Sequence, residues 1–222
     1  MYPVTYEADF AKERNRLTTL FRLIVAIPWL IVLYIYAIGG MIVWVIAWFA
    51  LLILGRYPDW AYNFMSGFLR FQTRVNAWLG LQADEWPPFG FAPDPTYPIR
   101  VQVAPKAEKQ SRLKVFFRGI LAIPLLFVAF GVNYIHLGAA LVSWLTIVFR
   151  GYQPAGVHNA LLFTNAFNAR LNAYLYLLTD AYPPVGDEGP QVGDLPAPGQ
   201  PALGGAGAAA GVSQPQPPAE NQ

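Results

Sequence analysis

The chain has no cysteine and little charge. Without cysteine among its 222 residues, disulfides, thiolate metal sites and cysteine nucleophiles are all excluded. Charged residues make up only 13% of the chain against 55% hydrophobic ones, too few for an ordinary soluble domain. The net charge of +2 supplies no field that would draw nucleic acid. Gly-rich phosphate loops, nucleophile elbows and metal-binding runs are also missing. Two stretches lack charge altogether: Leu23 to Gly55, 33 residues, and Gly119 to Phe149, 31 residues. Lys and Arg crowd both ends of each. Apolar runs of that length, bracketed by basic residues, predict burial in a lipid bilayer. The 15% of aromatic residues suits a chain with long membrane–water boundaries. Acidic and basic residues mix through Met1 to Arg22, and the apolar run that follows exceeds the roughly 7–15 residues of a signal-peptide core, so no cleavable leader is expected.

The chain repeats itself. Shifted by 96 positions, Arg16-Leu17 falls on Arg112-Leu113, Phe21-Arg22 on Phe117-Arg118, and Ala26-Ile27-Pro28 on Ala122-Ile123-Pro124. Gly55 then meets Gly151, Arg74 meets Arg170, Asp84 meets Asp180, and Pro87-Pro88 meets Pro183-Pro184. Such a list marks a tandem duplication. It divides the chain into a first membrane repeat at 1–94, a second at 95–185, and a Pro/Gly/Ala-rich tail at 186–222. The tail has no periodic apolar face and is expected to be disordered.

Each repeat opens with period-two alternation: Val4, Tyr6, Ala8 and Phe10 in the first, Ile99, Val101 and Val103 in the second. That is a strand signal, and since a lone strand is unstable the two copies should pair with each other. The uncharged stretch comes next. As one straight helix, 33 residues would extend about 50 Å against a hydrocarbon core of about 30 Å. It is therefore expected to fold back as a transmembrane hairpin, turning at Gly39-Gly40 in one copy and Gly131 to Tyr134 in the other. A third element, about 60–83, puts Phe64, Phe68, Phe71, Val75 and Trp78 on one face and Asn63, Ser66, Arg70, Thr73 and Arg74 on the other, an amphipathic helix fit for the bilayer interface. Its counterpart covers about 157–178. The fold class expected is thus an all-α membrane protein of two tandem repeats, each a short strand, a helical hairpin and an interfacial helix.

Basic residues flank both hairpins on one side and the turns carry none, so the positive-inside rule predicts a multi-pass protein of the inner (plasma) membrane with both termini cytoplasmic. The copies then point the same way, related by a pseudo-twofold along the membrane normal.

The order Tyr2–Val4, Arg16-Leu17, Phe21-Arg22, Ala26–Pro28, Ile46–Ala50, Gly55–Pro58, Arg74–Trp78 and Pro87–Phe89 resembles the bacterial membrane family known as domain of unknown function 4389, twice over. The second copy departs from it at Arg150 to Pro154 and at Val185. The resemblance implies a multi-pass membrane protein and brings no activity, substrate or catalytic residue.

His136 and His158 have no carboxylate or second histidine at ligand spacing and read as polar boundary residues. The polar residues that stand out are Arg74 with Asp84, repeated as Arg170 with Asp180, read as ion pairs that fix the interfacial helix to its Pro-Pro exit or as headgroup contacts. Arg22 and Arg118 sit where they can meet lipid phosphate. No Lys, Arg, Asp or Glu lies inside the uncharged stretches, which argues against a proton- or ion-coupled pump. No enzyme activity, cofactor or metal is expected. The partners expected are the bilayer with its anionic headgroups, and a membrane protein or a second copy. The leading expectation is a non-enzymatic scaffold or assembly component. The alternatives are a passive channel or transporter for a small or lipidic solute, and a protein that dips into one leaflet without crossing it.

Overall fold

The computed structural model describes residues 2–186, so that the tail expected at 186–222 lies, Gly186 apart, outside the described residues. The alternating segments form β1 (Val4–Ala8) and β2 (Ile99–Val103), an antiparallel pair with Tyr6 opposite Val101 at its centre. Val4, Tyr6, Ile99 and Val101 are buried. On the other face Arg100 bridges Glu7 at 3.2 Å and Asp9 at 2.7 Å. The expected strand pairing is therefore present, although Phe10 lies beyond its end.

The uncharged stretches do not fold back. α1 (Arg16–Val25) leads into α2 (Ile27–Leu54), and α4 (Arg112–Phe116) into α5 (Arg118–Arg150). Asn15 accepts from Leu17 N and Thr18 N to cap α1, and Ser111 caps α4 by accepting from Lys114 N. The break between α1 and α2 falls at Ala26, just before Pro28, whose ring cannot continue the hydrogen-bond ladder. α2 and α5 then run unbroken for 28 and 33 residues, through both supposed turns. Gly39 and Gly40 lie inside the helix and face α3, where a Cβ would meet the Phe64 and Phe68 rings at an ordinary contact distance of 3.5 Å. Each helix ends at a left-handed glycine, Gly55 (φ 72°) and Gly151 (φ 78°).

α3 (Asp59–Leu79) and α6 (Ala155–Leu175) are the amphipathic elements, and they are not at the surface. They form an antiparallel pair at the centre of the molecule, with the sheet over one face and α2 and α5 against the other. Phe64, Phe68, Phe71 and Trp78 meet α2, while Ser66, Thr73 and Arg74, expected to be solvated, are buried. The expectation of interfacial helices is corrected on that ground: the polar face is covered by the sheet and by residues 84–98, where Phe91 packs against Gly67 and the Ala92 carbonyl receives Arg74. Leu81 and Leu177, both at φ 66°, close these helices in the conformation glycine usually takes. Their buried side chains offset that strain, and their carbonyls accept the Gln153 and Gln110 side-chain amides at 3.0 Å.

The strands run along the whole central pair. Tyr2 reaches the carbonyls of Arg170 and Ala181 at one end of α6, and Phe10 meets His158 at the other. Tyr62 near the start of α3 donates to Ala104 after β2, and Arg74 faces Tyr97 before it. The copies interlock about a pseudo-twofold normal to the sheet. Arg14 N donates to Gly151 O at 3.0 Å, and its counterpart Gln110 N donates to Gly55 O at 3.1 Å. The result is three layers: sheet, α3 with α6, and the long apolar pair α2 and α5.

Candidate functional site

One arginine holds each copy closed. Arg22 donates to Trp78 O at 2.6 Å, to Ala83 O at 2.8 Å and to Asp84 Oδ1 at 2.9 Å, and lies over the Trp78 ring. Arg118 repeats this on Tyr174 O, Thr179 O and Asp180 Oδ1, over the Tyr174 ring. The other carboxylate oxygen of each Asp accepts a backbone N–H at the next helix start, Asn15 N for Asp84 and Ser111 N for Asp180. The expected partners Arg74 and Arg170 are therefore replaced: the helix-end carboxylates pair with arginines 62 residues away in sequence. Arg74 is buried instead on Ala92 O at 3.0 Å, and Arg170 is buried in α6. Burial pushes the Arg22 guanidinium pKa down, and Asp84 pulls it back. Buried, each with three acceptors at its terminal nitrogens and its Nε unpartnered, Arg22 and Arg118 are internal locks. A lipid phosphate would have to draw them outward to reach them.

These locks are symmetric; the interior beside them is not. Between α5 and the α3–α6 pair lies an open cleft of about 590 Å³. Its wall carries Asn76, Asn133, Asn165, Asn168, Asn172 and His136. Asn168 donates to Asn133 Oδ1 at 3.1 Å, His136 Nδ1 meets Thr164 Oγ1 at 2.9 Å, and Asn165 donates to Gln82 Oε1 at 2.7 Å. The side-chain amides of Asn76 and Asn172 have no hydrogen-bond partner among the described residues. The symmetry-related space beside α2 is smaller, about 370 Å³, and apolar. There Trp44 stands for Ala140, Tyr176 for Gly80, Gly40 for His136 and Ala37 for Asn133. Trp44 and Tyr176 are tied in place by hydrogen bonds to Leu175 O and Gln72 Oε1. One half of the duplication keeps a smaller apolar space, and the other a larger polar one.

The polar character continues to the nearby end of the central pair. Arg14 donates to Gln82 O and Gln153 Oε1, and Gln153 donates to Ser143 Oγ at 2.7 Å. His158 is buried against Phe10 and Gln153, where burial above all, with Arg14 adding to it, pushes its pKa down to about 4 from 6.5. The ring is thus neutral in the folded chain and would be protonated below about pH 6.5 in the unfolded one. Because the unfolded state binds the extra proton, stability is full above pH 6.5 and is lost as pH falls toward 4, by on the order of 2–3 kcal/mol. Denaturant titrations in micelles at pH 7 and pH 4.5 check this: the midpoint drops at low pH, and His158→Gln removes that part of the drop. Among the described residues no group of three or more His, Asp or Glu side chains could hold a metal.

The remaining feature is the apolar surface. Ile31, Ile35, Ile38, Ile42, Phe49 and Ile53 form one exposed stripe on α2, each more than half exposed, and α5 exposes Phe127, Phe130 and Phe149 in the same manner. Both helices are long and apolar enough to cross a membrane. Lys12, Arg16, Arg56, Lys109, Arg112 and Lys114 are exposed near the ends of this layer.

No curated protein and no solved structure matches the chain. The family model described as Domain of unknown function (DUF4389) matches it twice, over residues 16–91 and 112–185. These regions hold the arginine locks, the central helices and the long apolar helices of the two interlocked copies, and the protein belongs to the DUF4389 family as two tandem copies of its domain.

Proposed function

We propose that the protein is a non-enzymatic membrane organiser that lies in one leaflet: α2 and α5 rest parallel to the bilayer plane, and the sheet faces the cytoplasm. The observation that carries this reading is the direction of the strands. α2, α3, α6 and the sheet all run alongside one another, so a transverse α2 would drag the sheet through the bilayer with it. Glu7, Asp9 and Arg100 would then sit at hydrocarbon depth, at about 2.5–3.5 kcal/mol for each Asp or Arg near the centre, and both open strand edges would face lipid. Lying flat removes both costs. The apolar stripe then faces the acyl chains, the exposed lysines and arginines reach anionic headgroups, and the pseudo-twofold stands along the membrane normal. A flat, basic, two-copy platform with a solvated sheet suits assembling other components at the membrane surface.

Nitroxide depth measurements along the stripe test this. Single Cys substitutions at Ile31, Ile38, Ile42, Phe49 and Ile53 span about 33 Å of helix, as much as the hydrocarbon core is thick. In vesicles they should report one depth within a few ångströms. A profile deepest at Ile42 and shallow at both ends would refute the flat orientation.

A further inference from the structure

The asymmetric cleft asks for an occupant. Five asparagines and a histidine line an open space beside α5, whose other exposed side chains, like those of α2, are predominantly apolar. In a hydrocarbon surrounding, an amide without a partner costs several kcal/mol, and Asn76 and Asn172 have none among the described residues. Divergence between the copies also favours a site. The smaller, apolar space is lined by Trp44 and Tyr176, where the cleft has Ala140 and a Gly80 covered by the His136 ring. At about 590 Å³ the cleft is the roomier of two spaces that both fall within the roughly 300–1,000 Å³ of small-molecule sites, and its polar lining is what sets it apart.

The lining fixes the chemistry. It contains no Lys, Arg, Asp or Glu, so it offers no counter-charge to a phosphate or an ammonium group. Asparagine amides both donate and accept, which matches hydroxyl and ester-carbonyl groups. Leu126, Leu137 and Ala140 complete the wall with apolar surface. We infer that the cleft binds an uncharged lipid of the diacylglycerol class, its hydroxyl and ester groups on Asn76, Asn133, Asn168 and Asn172 and its chains running out between α2 and α5. The inference rests on the one-leaflet reading, which brings the mouth of the cleft to the acyl-chain layer.

The test uses the full chain in phosphatidylcholine vesicles carrying a trace of a diazirine-labelled diacylglycerol, with diazirine-labelled phosphatidylglycerol as the charged comparison. The diacylglycerol probe should crosslink to 126–140 and 165–175, and unlabelled diacylglycerol should compete while phosphatidylglycerol does not. Ala140→Trp, which copies the residue of the smaller apolar space, should lower this labelling at least tenfold while vesicle flotation and the unfolding midpoint stay as in the parent chain. If Ala140→Trp does not fold, Asn133→Ala, at an exposed position whose counterpart is Ala37, carries the test with an expected loss of severalfold. Equal labelling by both probes, or labelling that either folded variant leaves intact, overturns the inference while flotation preserves the membrane reading. A parent chain that fails to float overturns both.

Discussion

Asp84→Ala destabilises the folded chain by about 3 kcal/mol, read as the shift in denaturant midpoint in micelles. The lost carboxylate is the one counter-charge at hydrogen-bond distance from Arg22, whose side chain is only 3% exposed. Removing it leaves a buried guanidinium held by two carbonyls and one ring, and also frees the Asn15 N–H that Asp84 accepts at the start of α1. Breaking a buried pair from one side costs about 3–5 kcal/mol, and Asp84, at 26% exposure, belongs at the lower end. Asp84→Asn keeps an oxygen for both donors and costs less, about 1–2 kcal/mol. Adding Arg22→Met to Asp84→Ala recovers much of the loss, since no unpaired charge is then buried. If the single and double variants were equally destabilised, the lock would owe its strength to packing and not to charge.

The second large effect separates two leucine-class residues on one helix. Leu51 is fully buried among the core side chains, whereas Ile53, two residues on, is 68% exposed on the apolar stripe. Leu51→Ala creates a cavity and costs about 2–5 kcal/mol in folding stability. Ile53→Ala opens no cavity and shifts the same midpoint by less than about 0.5 kcal/mol. Both positions lie in an uncharged run that composition alone treats as uniform, so the contrast is a direct check that α2 packs along α3 by one face. Equal losses would mean that the exposed stripe is covered by protein.

How far the sequence could be read depended on which physical signal each feature left. The duplication and the strands were legible, because matched residues at an offset of 96 and alternation at Val4–Ala8 and Ile99–Val103 are local patterns that the twofold and the sheet reproduce. The hairpins were misread because excess length was converted into a fold by assuming helices upright in the bilayer. Gly39-Gly40 then reads as a turn, although both glycines lie inside α2 facing Phe64 and Phe68. With one long helix per copy, the charge pattern no longer fixes an even number of crossings. α3 looked interfacial because periodicity separates its faces without saying what covers the polar one. Asp84 was assigned to Arg74, ten residues away, when the fold brings it Arg22. The cleft left a signal of a different kind. It appears where the copies disagree, at Ala37 and Asn133, Gly40 and His136, Leu69 and Asn165, whereas the duplication shows in the positions that match.

The orientation in the membrane underlies everything proposed for this protein, and two single-cysteine variants of a chain that has no cysteine of its own address it most directly. Glu13 and Glu108 are exposed at opposite ends of the central helix pair, one beside the end of α5 and the other just before α4. With a membrane-impermeant maleimide, Glu13→Cys and Glu108→Cys should both stay unlabelled in intact cells and both react in inverted membrane vesicles. Reaction of one in intact cells and of the other only in inverted vesicles would mean that the helices cross the bilayer, and would contradict the account.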